Sequence, residues 1–284
     1  MKINDILSTI EKLLPKSTSI EGDRIGLQVQ SGRSEVSHIL VTMELSDEVI
    51  AEAIDLSVDC IISFHPLIYR PLTEIVDIER VGRLVSKLIK HDIAFISVHT
   101  TFDAHPEGTS KIIADLLGLR VVSFLVPSQN SSNSGIGVIC EAQQPMNEVE
   151  LVKLVSEKLF APVKYTSGRK NANITKIGIV GGSGSSFLKE ALDANLDAFI
   201  TADVTYHSFH SVQGKMLLID PGHYEMEQFV SLGIAQLIKN SIDSSVKISV
   251  SSVNTNPVSY YPENNWKALQ NEYLINVKIN WNKQ

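Results

Sequence analysis

The sequence predicts an α/β protein of two similar halves, with mostly parallel strands and a metal site at the C-terminal ends of the strands. Three observations predict this fold class. Short apolar runs alternate with segments of helical period, which is typical of βαβ units. A helix–strand segment occurs in both halves of the chain, and a His-x-x-x-carboxylate pattern follows a strand in each half.

Composition narrows the class of protein. The chain has 284 residues, enough for about two domains of roughly 150 residues. Its net charge of -7 gives no basic footprint, so we expect no general binding of nucleic acids. No apolar run approaches the ~18 residues that cross a bilayer, and Asp5 and Glu11 in the first helix argue against a signal peptide. Because Cys60 and Cys140 make no disulfide framework, we expect a cytoplasmic protein.

The first half begins with an amphipathic helix that ends at Pro15. The following predicted elements are strand 39–43, helix 46–56 with Ser46 as N-cap, strand 60–64, helix 81–91, strand 93–98 and helix 109–119. The stretch 127–135 has the composition of a loop. We therefore assign 1–126 to the first half and 127–262 to the second.

The predicted elements of the second half are helix 149–160, strand 177–182, helix 187–196, strands 197–201 and 216–220, helix 224–242 and strand 247–253. Residues 263–284 form a separate tail. Its bulky residues have a period of two, broken by Leu274, which predicts an added edge strand. They are Tyr273, Ile275, Val277, Ile279 and Trp281. A frayed, Asn-rich tail is the alternative.

An internal repeat links the halves. The segment EAIDLSVDCIISFH (52–65) aligns without a gap with EALDANLDAFITAD (190–203). Each copy is a helix that leads into a strand, so we expect two related α/β halves. In this alignment His65 falls opposite Asp203, just past the end of a strand. Ligands of open parallel sheets bind outside those ends.

Two His-x-x-x-carboxylate patterns supply further donors. His99 and Asp103 follow one predicted strand, and His223 and Glu227 follow another. With His65 they make three imidazoles and two carboxylates, a set that suits zinc, iron, manganese or nickel better than calcium or magnesium. Each pattern taken alone is also typical of a capped surface turn.

Five motifs carry a family resemblance: GLQV (26–29), FHPLIYRPL (64–72), HTTFDAHPEG (99–108), GGSGSSF (181–187) and DPGHYEME (220–227). In this order they resemble the NGG-interacting-factor-three-like family, also known as GTP cyclohydrolase 1 type 2 homologues, over roughly residues 1–262. The resemblance implies two α/β halves around a dinuclear metal centre and assembly into a toroidal homohexamer. Because 127–176 is short, it implies the compact form without a full inserted domain.

The resemblance also implies which residues bind metal. The matching ligands are His65, His99, Asp103, His223 and Glu227, for one or two divalent ions per chain. Phe64 stands where bacterial members of the family often have a histidine. Since phenylalanine cannot coordinate, we expect one tight and one weak metal.

The function that follows is hydrolysis of a nucleotide or related phosphorylated small molecule by metal-activated water. We expect His207 and Asp203 to act in catalysis, and Arg70, Tyr69, Gly182 and Ser183 to contact the substrate. Structural roles are the alternatives: a partly buried histidine, an ion pair at Arg70, and a tight turn at the glycines. A metal-binding structural or regulatory hexamer without turnover is the other function class.

Overall fold

A computed structural model describes residues 1–129, 131, 133–170, 173–261 and 266–283. The strands are β1 (Gly26–Val29), β2 (His38–Thr42), β3 (Cys60–Ser63), β4 (Ala94–Ser97), β5 (Arg120–Pro127), β6 (Gly135–Met146), β7 (Lys164–Thr166), β8 (Ile174–Ser183), β9 (Ala198–Ala202), β10 (Leu217–Asp220) and β11 (Lys247–Val250). The helices are α1 (Ile3–Leu13), α2 (Asp47–Asp55), α3 (Arg80–Lys90), α4 (His99–Asp103), α5 (Thr109–Leu116), α6 (Glu148–Leu159), α7 (Leu188–Asp193), α8 (Tyr206–Val212), α9 (His223–Glu227), α10 (Val230–Lys239) and α11 (Trp266–Asn282). In this described part of the chain, no helix is both long and apolar enough to cross a membrane.

The chain folds into two compact units, and each is built on one β-sheet. The first unit comprises Met1–Phe102, Val230–Ser259 and Asn271–Gln284, and the second comprises Asp103–Phe229 and Tyr260–Gln270. The predicted α/β class with two similar halves is confirmed. The predicted boundary at 126/127 is wrong, because β5 and β6, on either side of that loop, pair with each other in the second sheet.

The sheet of the first unit has the order β1-β4-β3-β2-β11. Its strands are parallel except β1, which pairs antiparallel with β4 at one edge. The central strands β2, β3 and β4 are buried throughout, as is usual for parallel strands in a sheet that is covered on both faces. The strand predicted at 247–253 is β11, and it joins this sheet beside β2 rather than closing the second half.

The sheet of the second unit has the order β5-β6-β8-β9-β10-β7. Only β8, β9 and β10 are parallel neighbours, and the pairings of β5 with β6, β6 with β8 and β7 with β10 are antiparallel. This sheet is therefore mixed rather than mostly parallel. Gly182 and Ser183 end β8, and Asp203 and His223 follow the ends of β9 and β10.

The internal repeat is visible in matched hydrogen bonds. Asp59 accepts hydrogen bonds from the N–H and hydroxyl of Ser37 and from the next N–H along the chain. Asp197 accepts the same set from Thr175 and the residue after it. In each unit this carboxylate precedes one parallel strand and holds the beginning of the neighbouring strand. Asp59 links β3 to β2, and Asp197 links β9 to β8.

The predicted strand in the C-terminal tail is wrong, because residues 266–282 form the helix α11. Among its described side chains, Gln270, Leu274 and Lys278 are buried, spaced by four as on one face of a helix. Leu274, which interrupts the period of two, is 4% exposed, whereas Tyr273 on the predicted strand face is 40% exposed. At the end of α11, the Asn282 side chain bonds both the N–H and the carbonyl of Val250 and so caps the edge of β11.

Candidate metal centre

His65 lies just beyond β3, on a segment that continues to pair with the end of β2 through the His65 N–H and the Met43 carbonyl. Its Nδ1 atom lies 3.0 Å from Oε2 of Glu44. Arg80 donates a hydrogen bond of 2.7 Å to the other oxygen of Glu44. Burial alone would raise the pKa of Glu44, but the hydrogen bonds and charges of His65 and Arg80 lower it. Glu44 is therefore an anion that fixes the imidazole ring.

His99 is the first residue of α4, directly after β4. Its Nδ1 atom lies 2.8 Å from Oδ1 of Asp23, whose other oxygen accepts from the N–H and hydroxyl of Thr100. Burial alone would raise the pKa of Asp23, but hydrogen bonds from His99 and Thr100 and the charge of His99 lower it to about 2. The first unit therefore holds both predicted histidines in the same way, by a carboxylate on Nδ1.

Phe64 packs against both of these histidines. It is fully buried, and its ring centroid lies 5.0 Å from that of His65 and 5.5 Å from that of His99. The two imidazole rings are themselves 5.5 Å apart, edge to face. A phenyl ring thus lies beside both predicted ligands.

The second unit holds His223 between two carboxylates. Its Nδ1 atom lies 2.7 Å from Oδ2 of Asp203 at the end of β9, and its Nε2 atom lies 3.0 Å from Oε2 of Glu227. Burial alone would lower the pKa of His223, but the hydrogen bonds and charges of Glu227 and Asp203 raise it to about 9. The helical i, i+4 spacing on α9 brings Nε2 and the Glu227 carboxylate together, and both belong to a group of His and Glu side chains that could hold a metal ion.

Asp103 is the last residue of α4, one helical turn after His99. Its Oδ1 atom accepts a hydrogen bond of 2.5 Å from the Thr109 hydroxyl, at the start of α5. This bond orients the carboxylate, as the carboxylates orient the histidines.

Gly182, in the GGSG segment, lies where the backbone passes close to Glu227. It has a φ of +61°, and a Cβ atom there would overlap Oε1 of Glu227 and lie 3.5 Å from Cε1 of His223. Only glycine allows this backbone so close to the Glu227 carboxylate. Gly181, before it, donates its N–H to the Ser110 hydroxyl.

The other predicted residues lie as follows. Asp203 contacts His223 directly. His207 on α8 is exposed rather than partly buried, with its ring 5.5 Å from that of Tyr206. Tyr69 and Arg70 are exposed on the loop after β3, and Ser183 is exposed at the end of β8.

Asp23 and Glu44 were not predicted from the sequence. Glu44 carried a usable signal, since it lies two residues past the end of β2, the strand beside β3. Asp23 carried none, because it lies in an irregular loop three residues before β1 and meets His99 only in the folded unit.

The fold and these side chains define a class: an α/β protein whose strand ends carry histidines oriented by carboxylates. The family described as Duf34/NIF3 (NGG1p interacting factor 3) matches residues 1–257, and the chain belongs to this family. The resemblance noted in the motifs is confirmed.

Named relatives match along nearly their whole length. A "GTP cyclohydrolase 1 type 2 homolog" from Clostridium perfringens is 31% identical over 92% of this chain and all of its own. One with the same name from Lactococcus lactis is 34% identical over 90% of this chain and 98% of its own. The crystal structure of the Staphylococcus aureus hypothetical protein SA1388 superposes with a TM-score of 0.84 at 28% identity, covering 92% of this chain and 99% of that one.

Proposed function

We propose that the protein is a metal-dependent hydrolase acting on a nucleotide or a related phosphorylated small molecule. The observation that carries the proposal is the His223 ring, with Asp203 at 2.7 Å on Nδ1 and Glu227 at 3.0 Å on Nε2. A carboxylate on one imidazole nitrogen fixes the ring and makes the opposite nitrogen a stronger metal ligand. Nε2 of His223, once deprotonated, and the Glu227 carboxylate would be donors for the same ion.

The proposed ligands comprise three histidines and two carboxylates: His65, His99, Asp103, His223 and Glu227. Imidazole and carboxylate together suit zinc, iron, manganese or nickel, with one or two ions per chain. Glu44 and Asp23 orient the imidazoles of the first unit as Asp203 orients His223. A bound divalent ion supplies Lewis acidity and a water that loses its proton near neutral pH.

The remaining predicted residues have proposed roles around the ligands. His207 and Asp203 are the proposed proton-transfer groups, and Asp203 also holds the proton on Nδ1 of His223. Arg70, Tyr69, Gly182 and Ser183 are the proposed substrate contacts. The name of these relatives makes GTP the first substrate to test.

A second function is a metal-binding structural or regulatory hexamer that performs no turnover. The buried Phe64 ring favours it, because a phenyl group beside His65 and His99 replaces a donor and so weakens one metal. A cytoplasmic location and the toroidal hexamer are proposed for both functions. Both cysteines are free and buried, which is compatible with a reducing compartment.

One experiment tests the hydrolase and separates it from the second function. The protein is stripped with a chelator, reloaded with manganese, zinc or iron, and assayed for turnover of GTP and of p-nitrophenyl phosphate. Asp103→Ala and Glu227→Ala are assayed alongside, with metal content measured by mass spectrometry. We expect metal-dependent turnover in the parent chain and its loss, with the metal, in both variants. A loaded chain that turns over neither compound favours the hexamer without turnover, and an equal metal content in all three chains contradicts both functions.

A further inference from the structure

The second unit contains a cleft that the proposed metal ligands do not line. It lies between the edge strand β7 and helix α8 and has a volume of about 520 Å³. Its walls include three aromatic side chains and three polar ones: Tyr165, Tyr206, Phe209, Lys164, His210 and Gln213. The volume lies within the range of roughly 300–1,000 Å³ that is typical of small-molecule sites.

Two of the aromatic rings are exposed, and a ring contact holds one of them. Tyr206 is 71% exposed and Tyr165 is 50% exposed, so large parts of both side chains are open to solvent. The centroid of the Tyr206 ring lies 4.6 Å from that of His210, one helical turn away on α8, in an edge-to-face arrangement. This contact limits the rotation of the Tyr206 ring. A fixed, solvent-exposed aromatic ring is the usual platform on which a planar ring stacks.

Lys164 supplies a fixed donor. Its ammonium lies 2.8 Å from Oδ2 of Asp220, which is 1% exposed and also accepts from the N–H groups of Val204 and Gly222. An ammonium has three N–H donors, and the contact with Asp220 uses one of them. Because Asp220 neutralises its charge, Lys164 favours a carbonyl-type acceptor over a strong anion. The Gln213 amide adds one donor group and one acceptor.

We propose that this cleft binds a nucleobase that carries an exocyclic carbonyl, stacked on Tyr206 and bonded by Lys164. The aromatic walls recognise the planar ring, and the ammonium and amide recognise its polar edge. The cleft supplies the base subsite of the proposed nucleotide substrate, and for that role it rests on the proposed function. Binding of the base itself requires no metal.

Guanosine 5′-monophosphate is the probe. Ribose 5-phosphate, which has the same sugar and phosphate but no base, is the control ligand. Binding is measured by calorimetry on the full chain in excess chelator, so that the proposed metal ligands play no part. We expect the nucleotide to bind and ribose 5-phosphate not to bind. Tyr206→Ala should weaken binding about tenfold or more, as for loss of one stacking ring, whereas Tyr206→Phe should retain it.

Tyr261→Ala is the matched control, because Tyr261 is 97% exposed and does not line the cleft. It should bind as the parent chain does, and Tyr206→Ala should keep the parent chain's metal content and mass in solution. Equal binding by Tyr206→Ala and the parent chain, or no binding by either, overturns the proposal. A changed mass for Tyr206→Ala overturns it too, since Tyr206 would then belong to an interface between copies. A further outcome is that the chain binds the nucleotide in chelator and yet takes up no metal when metal is supplied in a separate titration. That result would overturn the proposed hydrolase and support the proposed base site in the cleft.

Discussion

The Nδ1 atom of His99 lies 2.8 Å from Oδ1 of Asp23, a residue 76 positions earlier in the chain. The same arrangement recurs at His65 with Glu44 and at His223 with Asp203. Each predicted histidine ligand is thus fixed by a carboxylate on Nδ1. Such outer carboxylates set the tautomer and orientation of a metal-binding imidazole.

Replacing Asp23 with asparagine should weaken metal binding roughly 10- to 100-fold, as is usual for the loss of such a partner. The amide keeps the shape but loses the charge that holds His99. Metal affinity is measured by competition with a chromogenic chelator. Asp47→Asn is the control, because Asp47 pairs with Lys87 and Arg83 instead. Similar metal affinities for both variants would show that Asp23 does not support metal binding by His99.

Gly182→Ala should lower metal affinity and stability together, because its Cβ would overlap the Glu227 carboxylate. Gly214→Ala is a close control, since Gly214 also has a positive φ, +74°, but open space around its Cβ. That control should lose only the roughly 1–2 kcal/mol of left-handed backbone strain and should keep its metal. Chemical unfolding and metal titration of both variants measure the two effects. Equal metal affinity in the two variants would mean that Gly182 is not needed beside Glu227.

Phe64→His should raise the occupancy of a second, weaker metal, because it adds an imidazole next to His65 and His99. Phe64→Leu offers no donor and should leave the stoichiometry unchanged. Metal per chain is measured by mass spectrometry after equilibrium dialysis. If Phe64→His binds no more metal than Phe64→Leu, Phe64 does not occupy a ligand position.

Because Lys278 is buried, the free energy of unfolding should rise with pH. Burial lowers its pKa to about 8, against a smaller opposing effect from the charge of Glu52. Between pH 8 and about 10.5 the unfolded chain binds more protons at this site than the folded chain, so stability increases over that window. Lys278→Met should stabilise the protein at pH 7 by up to about 3 kcal/mol and remove this increase.

Urea unfolding at pH 7, 8, 9 and 10 measures the difference between the parent chain and Lys278→Met. Lys283→Met is the control, because Lys283 is exposed just beyond α11. A difference that does not shrink as pH rises would show that Lys278 is not buried as a charged group.

Features that depend on residues close together in the sequence could be predicted from local sequence patterns. The paired segments around Asp59 and Asp197 predicted the two halves, and the same hydrogen bonds recur at both residues. The strands that end near His65, His99 and His223 were also predicted, because buried parallel strands are short apolar runs. Spacing by four then placed His223 beside Glu227.

What the sequence could not predict depends on contacts between distant segments. Strand β11 has the same apolar pattern whichever sheet it joins, so its pairing with β2 was not foreseen. The tail around Leu274 satisfies periods of two and of four, and packing of Gln270, Leu274 and Lys278 decides for the helix. Asp23 carries no pattern at all, because its partner is 76 residues away.

The most direct test of the metal proposal compares Glu227→Gln with Glu225→Gln by zinc titration. Both glutamates lie on α9 and are similarly buried, at 4% and 3% exposed, so their loss of charge should affect folding alike. Only Glu227 has its carboxylate beside Nε2 of His223, whereas Glu225 accepts from the Tyr260 hydroxyl. We predict that Glu227→Gln loses tight zinc binding and that Glu225→Gln retains it. Equal zinc affinity in the parent chain and both variants would contradict the account.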